Sequence, residues 1–143
     1  MLKGIDPLLN ADALHALRAM GHGDDLILVD ANFPAHALAR HTVLGKPVRF
    51  DCDAPRLARA VLSVFPIDDF VDGGFARMQV VGSPETVTDV QEQVVALVGA
   101  SPAVKGIERF AFYERAKSAY AIFQCDERRL YGCFALRKGV IAP

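Results

Sequence analysis

Apolar residues return every three to four positions in three stretches, and each stretch predicts a helix with one buried face. The first runs from Ala11 to Met20 through Leu14 and Leu17, with Asn10 as its cap, Asp12 in its first turn and Gly21 as its stop. The second runs from Pro55 to Phe65 through Leu57, Val61 and Leu62, behind Asp51 or Asp53, and Pro66 ends it. The third opens at Ser83-Pro84-Glu85 and carries Val87, Val90, Val94, Leu97 and Val98 to Gly99. Between these stretches the pattern changes. Leu26 to Val29 is a short, unbroken apolar run that ends in Asp30, the signature of a central strand buried on both faces. Phe75 to Val81 alternates apolar and polar residues, while Pro47–Asp51, Gly106–Phe110, Ala119–Cys125 and Leu130–Arg137 read as further short strands. Ala35 to Lys46 has weak periodicity and reads mainly as loop, and Ala111 to Lys117 as one or two exposed helical turns.

Helices alternating with strands predict an α/β fold: one domain over residues 1–143, three layers (α/β/α), with a mostly parallel, mixed central sheet. Only a short turn at Asp126-Glu127-Arg128, with Arg129 after it, separates the last two strands, which favours a hairpin there and accounts for the mixed character.

Composition narrows the function classes. The hydrophobic share of 52% is high for a short chain, yet no apolar run approaches the roughly 18 residues of a membrane span, so the excess points to subunit contacts in a homo-oligomer. A net charge of −1 with scattered lysines and arginines argues against nucleic acid. The start lacks the apolar core of a secretory signal. Cys52, Cys125 and Cys133 are odd in number and show no C-x-x-C spacing, which fits reduced thiols in a cytoplasmic protein better than a zinc site.

Ligands of open α/β sheets collect beyond the carboxyl ends of the strands, where Asp30 and Asn32 fall. His22 sits between Gly21 and Gly23 in the turn before the same strand. Read singly, His22 also fits a solvated turn residue and Asp30 a loop cap. Read as a pair facing one pocket, they supply an imidazole and a carboxylate that titrate in different ranges, which suits proton transfer. Met20-Gly21-His22-Gly23-Asp24 matches neither phosphate-loop pattern, so a nucleotide cofactor is disfavoured. His15, His22 and Asp24 lack metal-ligand spacing, because Gly21 breaks the helix between the two histidines. Arg109 ends a predicted strand and carries fixed donors for ligand hydroxyls, although Arg109 to Arg115 also reads as an aromatic and ion-pair cluster on a solvated face. Tyr131-Gly132-Cys133 opens the last predicted strand, as an edge-covering tyrosine with a bulge or as part of a site.

Taken together, Gly21-His22-Gly23-Asp24, Asp30-Ala31-Asn32-Phe33-Pro34, Arg109-Phe110-Ala111-Phe112-Tyr113-Glu114-Arg115-Ala116, Tyr131-Gly132-Cys133 and Leu136-Arg137-Lys138-Gly139-Val140 resemble the ribose pyranase and fucose mutarotase family (RbsD/FucU) over nearly the whole chain. The segment from Arg109 is more similar to the fucose mutarotase branch. The resemblance implies an RbsD-like fold and an isomerase without cofactor or metal that interconverts the α and β anomers of a free monosaccharide, L-fucose first. Pyranose–furanose interconversion of ribose, or sugar binding without catalysis, are the alternatives. It further implies that His22 is the proton donor, that Asp30, Arg109, Tyr131, Gly132 and Cys133 bind the sugar, and that subunits assemble as decamers of two pentameric rings with sites at their boundaries. The family commonly carries asparagine where this chain has Cys133. A thiol is a poor hydrogen-bond partner, so either the backbone alone touches sugar there or the substrate differs.

Such chemistry is light. A proton leaves the anomeric hydroxyl, another reaches the ring oxygen, the ring opens to the aldehyde, and it closes on the other face. One group titrating near neutrality suffices, and histidine does so with little tuning.

Overall fold

The computed structural model describes residues 1–143. Six strands form one sheet: β1 (Asp25–Val29), β2 (Val48–Phe50), β3 (Phe75–Met78), β4 (Lys105–Ile107), β5 (Ala121–Cys125) and β6 (Phe134–Arg137), in the spatial order β2-β5-β1-β6-β3-β4. Five helices cover it: α1 (Ala11–Ala19), α2 (Ala35–Ala39), α3 (Ala54–Leu62), α4 (Asp89–Val98) and α5 (Arg109–Lys117). Successive side chains of a strand point to opposite faces, and β1 divides accordingly. Leu26 and Leu28 join one apolar core with α1, α3 and α4, while Ile27 and Val29 join a second with α2 and α5. The result is the expected three-layer arrangement. No helix is long and apolar enough to cross a membrane.

All strand pairs are parallel except those of β6, which runs antiparallel to both β1 and β3. The expected β5–β6 hairpin does not form. β5 is paired with β1 on one side and β2 on the other, so neither edge is left for β6.

Several boundaries differ from the sequence reading for identifiable reasons. Ala35–Ala39 is a short helix rather than loop, with Ala35, Leu38 and Ala39 buried against the second core. α4 begins at Asp89, six residues after Ser83: Arg77 draws the Pro84 and Thr86 carbonyls inward, which holds 83–87 as a turn and leaves Val87 outside the helix. Arg109 does not end a strand. It is the first residue of α5, because the Glu108 carboxylate accepts the Phe110 and Ala111 amides as an N-cap. That helix is not merely exposed, since Phe112 and Ala116, four apart on one face, are fully buried. β6 starts only at Phe134, because Tyr131 lies at φ +65°, outside any extended conformation.

The start of β1 is anchored electrostatically. The Asp25 carboxylate accepts bidentate pairs from Arg115 of α5 and Arg137 of β6, and despite the burial that opposes it these pairs hold its carboxyl below the ordinary range.

Candidate active site

Beyond the carboxyl end of β1, the chain passes through Asp30 into a loop held by the Gln124 side-chain amide, which donates to the carbonyls of Asp30 and Phe33. The Asp30 side chain is 4% exposed. Its Oδ1 accepts the Asn32 amide at 3.0 Å, and its Oδ2 accepts the Gly132 amide at 3.1 Å and the Cys133 thiol at 3.4 Å. Burial pushes its carboxyl above the ordinary value, and these hydrogen bonds pull the other way. Burial also drives the Cys133 thiol well up, with the Asp30 charge adding to it, so the thiol stays protonated and acts as a donor.

Asp30 and Cys133 lie at the bottom of a cleft of about 210 Å³ whose walls include Met78, Arg109, Tyr113 and Tyr131. This is smaller than the roughly 300–1,000 Å³ of drug-sized sites. Arg109 donates through Nε to the Tyr113 hydroxyl at 3.1 Å and stands over the Phe110 and Tyr113 rings at 5.4 Å from each centroid, which holds its guanidinium at the cleft's edge. Gly132 has a steric reason to lack a side chain. A Cβ there would lie 3.0 Å from Glu127 Cγ and 3.4 Å from Asp30 Cβ, so a side chain would have to push these neighbours aside for the amide to stay on the carboxylate.

His22 is not in this cleft. It precedes β1, whereas Asp30 follows it, and five strand residues span about 17 Å. Within one chain the expected pairing of His22 and Asp30 around one pocket therefore does not occur. Instead His22 Nε2 lies 3.2 Å from Asp68 Oδ2, and its ring packs edge-on against Phe70. Asp68 is 3% exposed while half of the imidazole is open to solvent. The Asp68 backbone is wedged between Gly74 and Gly139, where an added Cβ would fall 2.0 Å from Asp68 O and 2.9 Å from Asp68 N respectively. The aspartate is thus a rigid mount for a half-exposed ring. His15, His22 and Asp24 do not gather into a metal-ligand cluster.

Sequence reasoning brought Asp30, Arg109, Tyr131, Gly132 and Cys133 to one place and missed Asp68, Tyr113 and Gln91. Tyr113 carried a usable signal, being four residues from Arg109 and so on the same helix face.

The class that fold and site define is a single-domain α/β chain with a small cleft over a buried carboxylate at a strand's carboxyl end, the position where ligands of such sheets collect. The chain belongs to the RbsD / FucU transport protein family, whose model matches residues 3–141. It is similar to the L-fucose mutarotase of Actinobacillus pleuropneumoniae serotype 5b, with 39% identity over 145 residues covering 98% of this chain and 97% of that one. Among solved structures, protein Atu2016 superposes with a TM-score of 0.95 at 50% identity, covering 99% of this chain and 97% of the other. The fucose mutarotase of Streptococcus pneumoniae in complex with L-fucose gives 0.85 at 32% identity, covering 99% and 100%.

Proposed function

We propose that this protein is a monosaccharide mutarotase acting on L-fucose or a close relative, at a site shared between two copies of the chain. The observation that carries this reading is the cleft itself: a buried carboxylate at its bottom and a guanidinium at its rim, sized for one sugar, in a chain similar throughout its length to fucose mutarotases. Asp30 accepts from sugar hydroxyls and Arg109 donates to them, so the ring-opening and ring-closing atoms stay near one another.

The proton carrier in this reading is His22 of a neighbouring copy. Two features support it. The imidazole is half exposed at the far end of β1, against Phe70, and both Phe70 and the adjoining Val71 are exposed. Around the cleft, Val81, Phe110 and Leu130 are exposed as well. Two different apolar patches at opposite ends of one molecule suit a head-to-tail contact, which closes into a ring when the rotation allows. The family's decamer of two pentameric rings fits that geometry. Asp68, bonded to Nε2, fixes the tautomer and leaves Nδ1 free to take the anomeric proton, and Tyr131 relays the second proton to the ring oxygen. A reducing, cytoplasmic setting belongs to the same reading, supported by three cysteines of which none is paired.

The test is exchange NMR on a panel of free sugars. Faster α/β exchange of L-fucose with protein than in buffer is the expected result. Acceleration confined to pyranose–furanose exchange of ribose moves the assignment to that reaction, and Cys133 in the cleft is the feature that favours a shifted substrate. Saturable binding with no acceleration makes the protein a sugar-binding module instead.

A further inference from the structure

Tyr131 is held at both ends. Its backbone occupies the left-handed region at φ +65°, which is strained for a bulky residue. Its carbonyl accepts a hydrogen bond from Gln91 Nε2 at 3.1 Å. Gln91 is fully buried, and its remaining groups are also engaged: Nε2 donates to the Met78 carbonyl at 2.7 Å, and Oε1 accepts the Thr88 amide at 3.2 Å and Arg77 Nη1 at 3.5 Å. Both donors and both lone pairs of the amide are therefore used. Arg77 is itself buried and donates to the Thr86 and Pro84 carbonyls, so the end of β3, the 80–88 loop, the start of α4 and Tyr131 form one block.

At the outer end, the Tyr131 hydroxyl oxygen accepts the backbone amide of Val81 at 3.1 Å. An amide can only donate, so the phenol spends a lone pair on this bond and its single O–H proton is directed elsewhere. Tyr131 and Val81 both line the cleft that holds Asp30 and Arg109. Val81 is the second residue of a tight turn closed by Ser83 N to Val80 O at 3.0 Å, with Gly82 at φ +77°, the pattern of a type II turn.

We propose that the Val81 amide and the Gln91 side chain are positioning groups that turn Tyr131 into a fixed hydrogen-bond donor toward a ligand oxygen in the cleft. The inference rests on the reading of the cleft as a sugar site.

The turn supplies a clean probe, because proline is favoured at its second position. Val81→Pro removes the N–H and leaves the turn intact. L-Fucose affinity by NMR titration and anomer exchange are measured on the full chain for wild type, Val81→Pro, Tyr131→Phe and the double variant, each well below its unfolding midpoint. Val81→Pro is expected to weaken binding or exchange about threefold to tenfold, the scale of one hydrogen bond. In the Tyr131→Phe background it is expected to add nothing, since the two act as one unit. Wild-type behaviour of Val81→Pro, or an equal loss in both backgrounds, overturns the proposal. Should Val81→Pro fail to fold, Gln91→Met puts the same question to the inner end and the same non-additivity decides it. A wild type that binds L-fucose without speeding exchange overturns the mutarotase reading alone, because the affinity measurements still decide the tyrosine. A wild type that binds no sugar of the panel overturns both.

Discussion

The Cys133 thiol donates to Asp30 Oδ2 across 3.4 Å, beneath the cleft and almost out of reach of water. That contact helps keep the buried carboxyl from rising further. Removing it in Cys133→Ala raises the Asp30 pKa. The acid limb of the exchange rate, where Asp30 takes up its proton, is expected to move to higher pH. A pH–rate profile of anomer exchange for the two proteins checks this, and an unmoved limb denies the thiol any electrostatic role.

Gly132 is expected to tolerate no side chain. In Gly132→Ala the new methyl meets Glu127 Cγ at 3.0 Å and Asp30 Cβ at 3.4 Å, and overpacking of this kind costs about 1–3 kcal/mol. Denaturant unfolding reads the stability loss. Titration with L-fucose reads a second effect, because the displaced amide no longer holds the carboxylate.

A site divided between copies predicts complementation. His22→Ala is expected to lose roughly 10²–10⁴-fold in exchange rate while keeping sugar affinity, the range usual for a general acid–base group. Asp30→Asn is expected to lose binding. Mixed, unfolded and refolded together, the two inactive variants regain about a quarter of wild-type activity by random assortment of a heterologous contact. If both residues acted within one chain, the mixture would stay dead.

Glu127 contributes to acid stability. The Arg129 guanidinium, with the Arg129 and Ala54 amides, holds its carboxyl at about 2 against an ordinary 4.5. A depressed folded-state pKa stabilises fully above 4.5, and that stabilisation is lost as pH falls from 4.5 toward 2. It amounts to on the order of 2 kcal/mol once the half-exposed guanidinium is discounted for solvent screening. Unfolding free energy measured from pH 6 to pH 2.5 should fall more steeply for the native chain than for Glu127→Gln.

The elements most legible in the sequence were those whose burial is written locally. β1 is apolar at four successive positions because both its faces are covered, and α1 and α3 carry their stripes at helical spacing. α5 hid, since only Phe112 and Ala116 of its nine residues are buried. The antiparallel insertion of β6 was invisible because a short turn says nothing about whether β5 has a free edge. The cleft residues were recovered through motif resemblance, whereas Asp68 and Gln91 act on partners 46 and 40 residues away, and no local pattern encodes such a meeting.

β6 is the final strand in order of synthesis yet lies in the interior of the sheet, between β1 and β3. Before it arrives, β2-β5-β1 and β3-β4 are two ribbons with no ladder between them and open edges prone to pairing with other chains. The keystone also carries the Tyr131–Cys133 loop directly ahead of it, so the cleft gains its Gly132 and Cys133 contacts in the same event that joins the ribbons. A half-assembled chain therefore lacks the contacts that complete the cleft, and a ligand that binds only the finished cleft would favour the finished molecule during refolding.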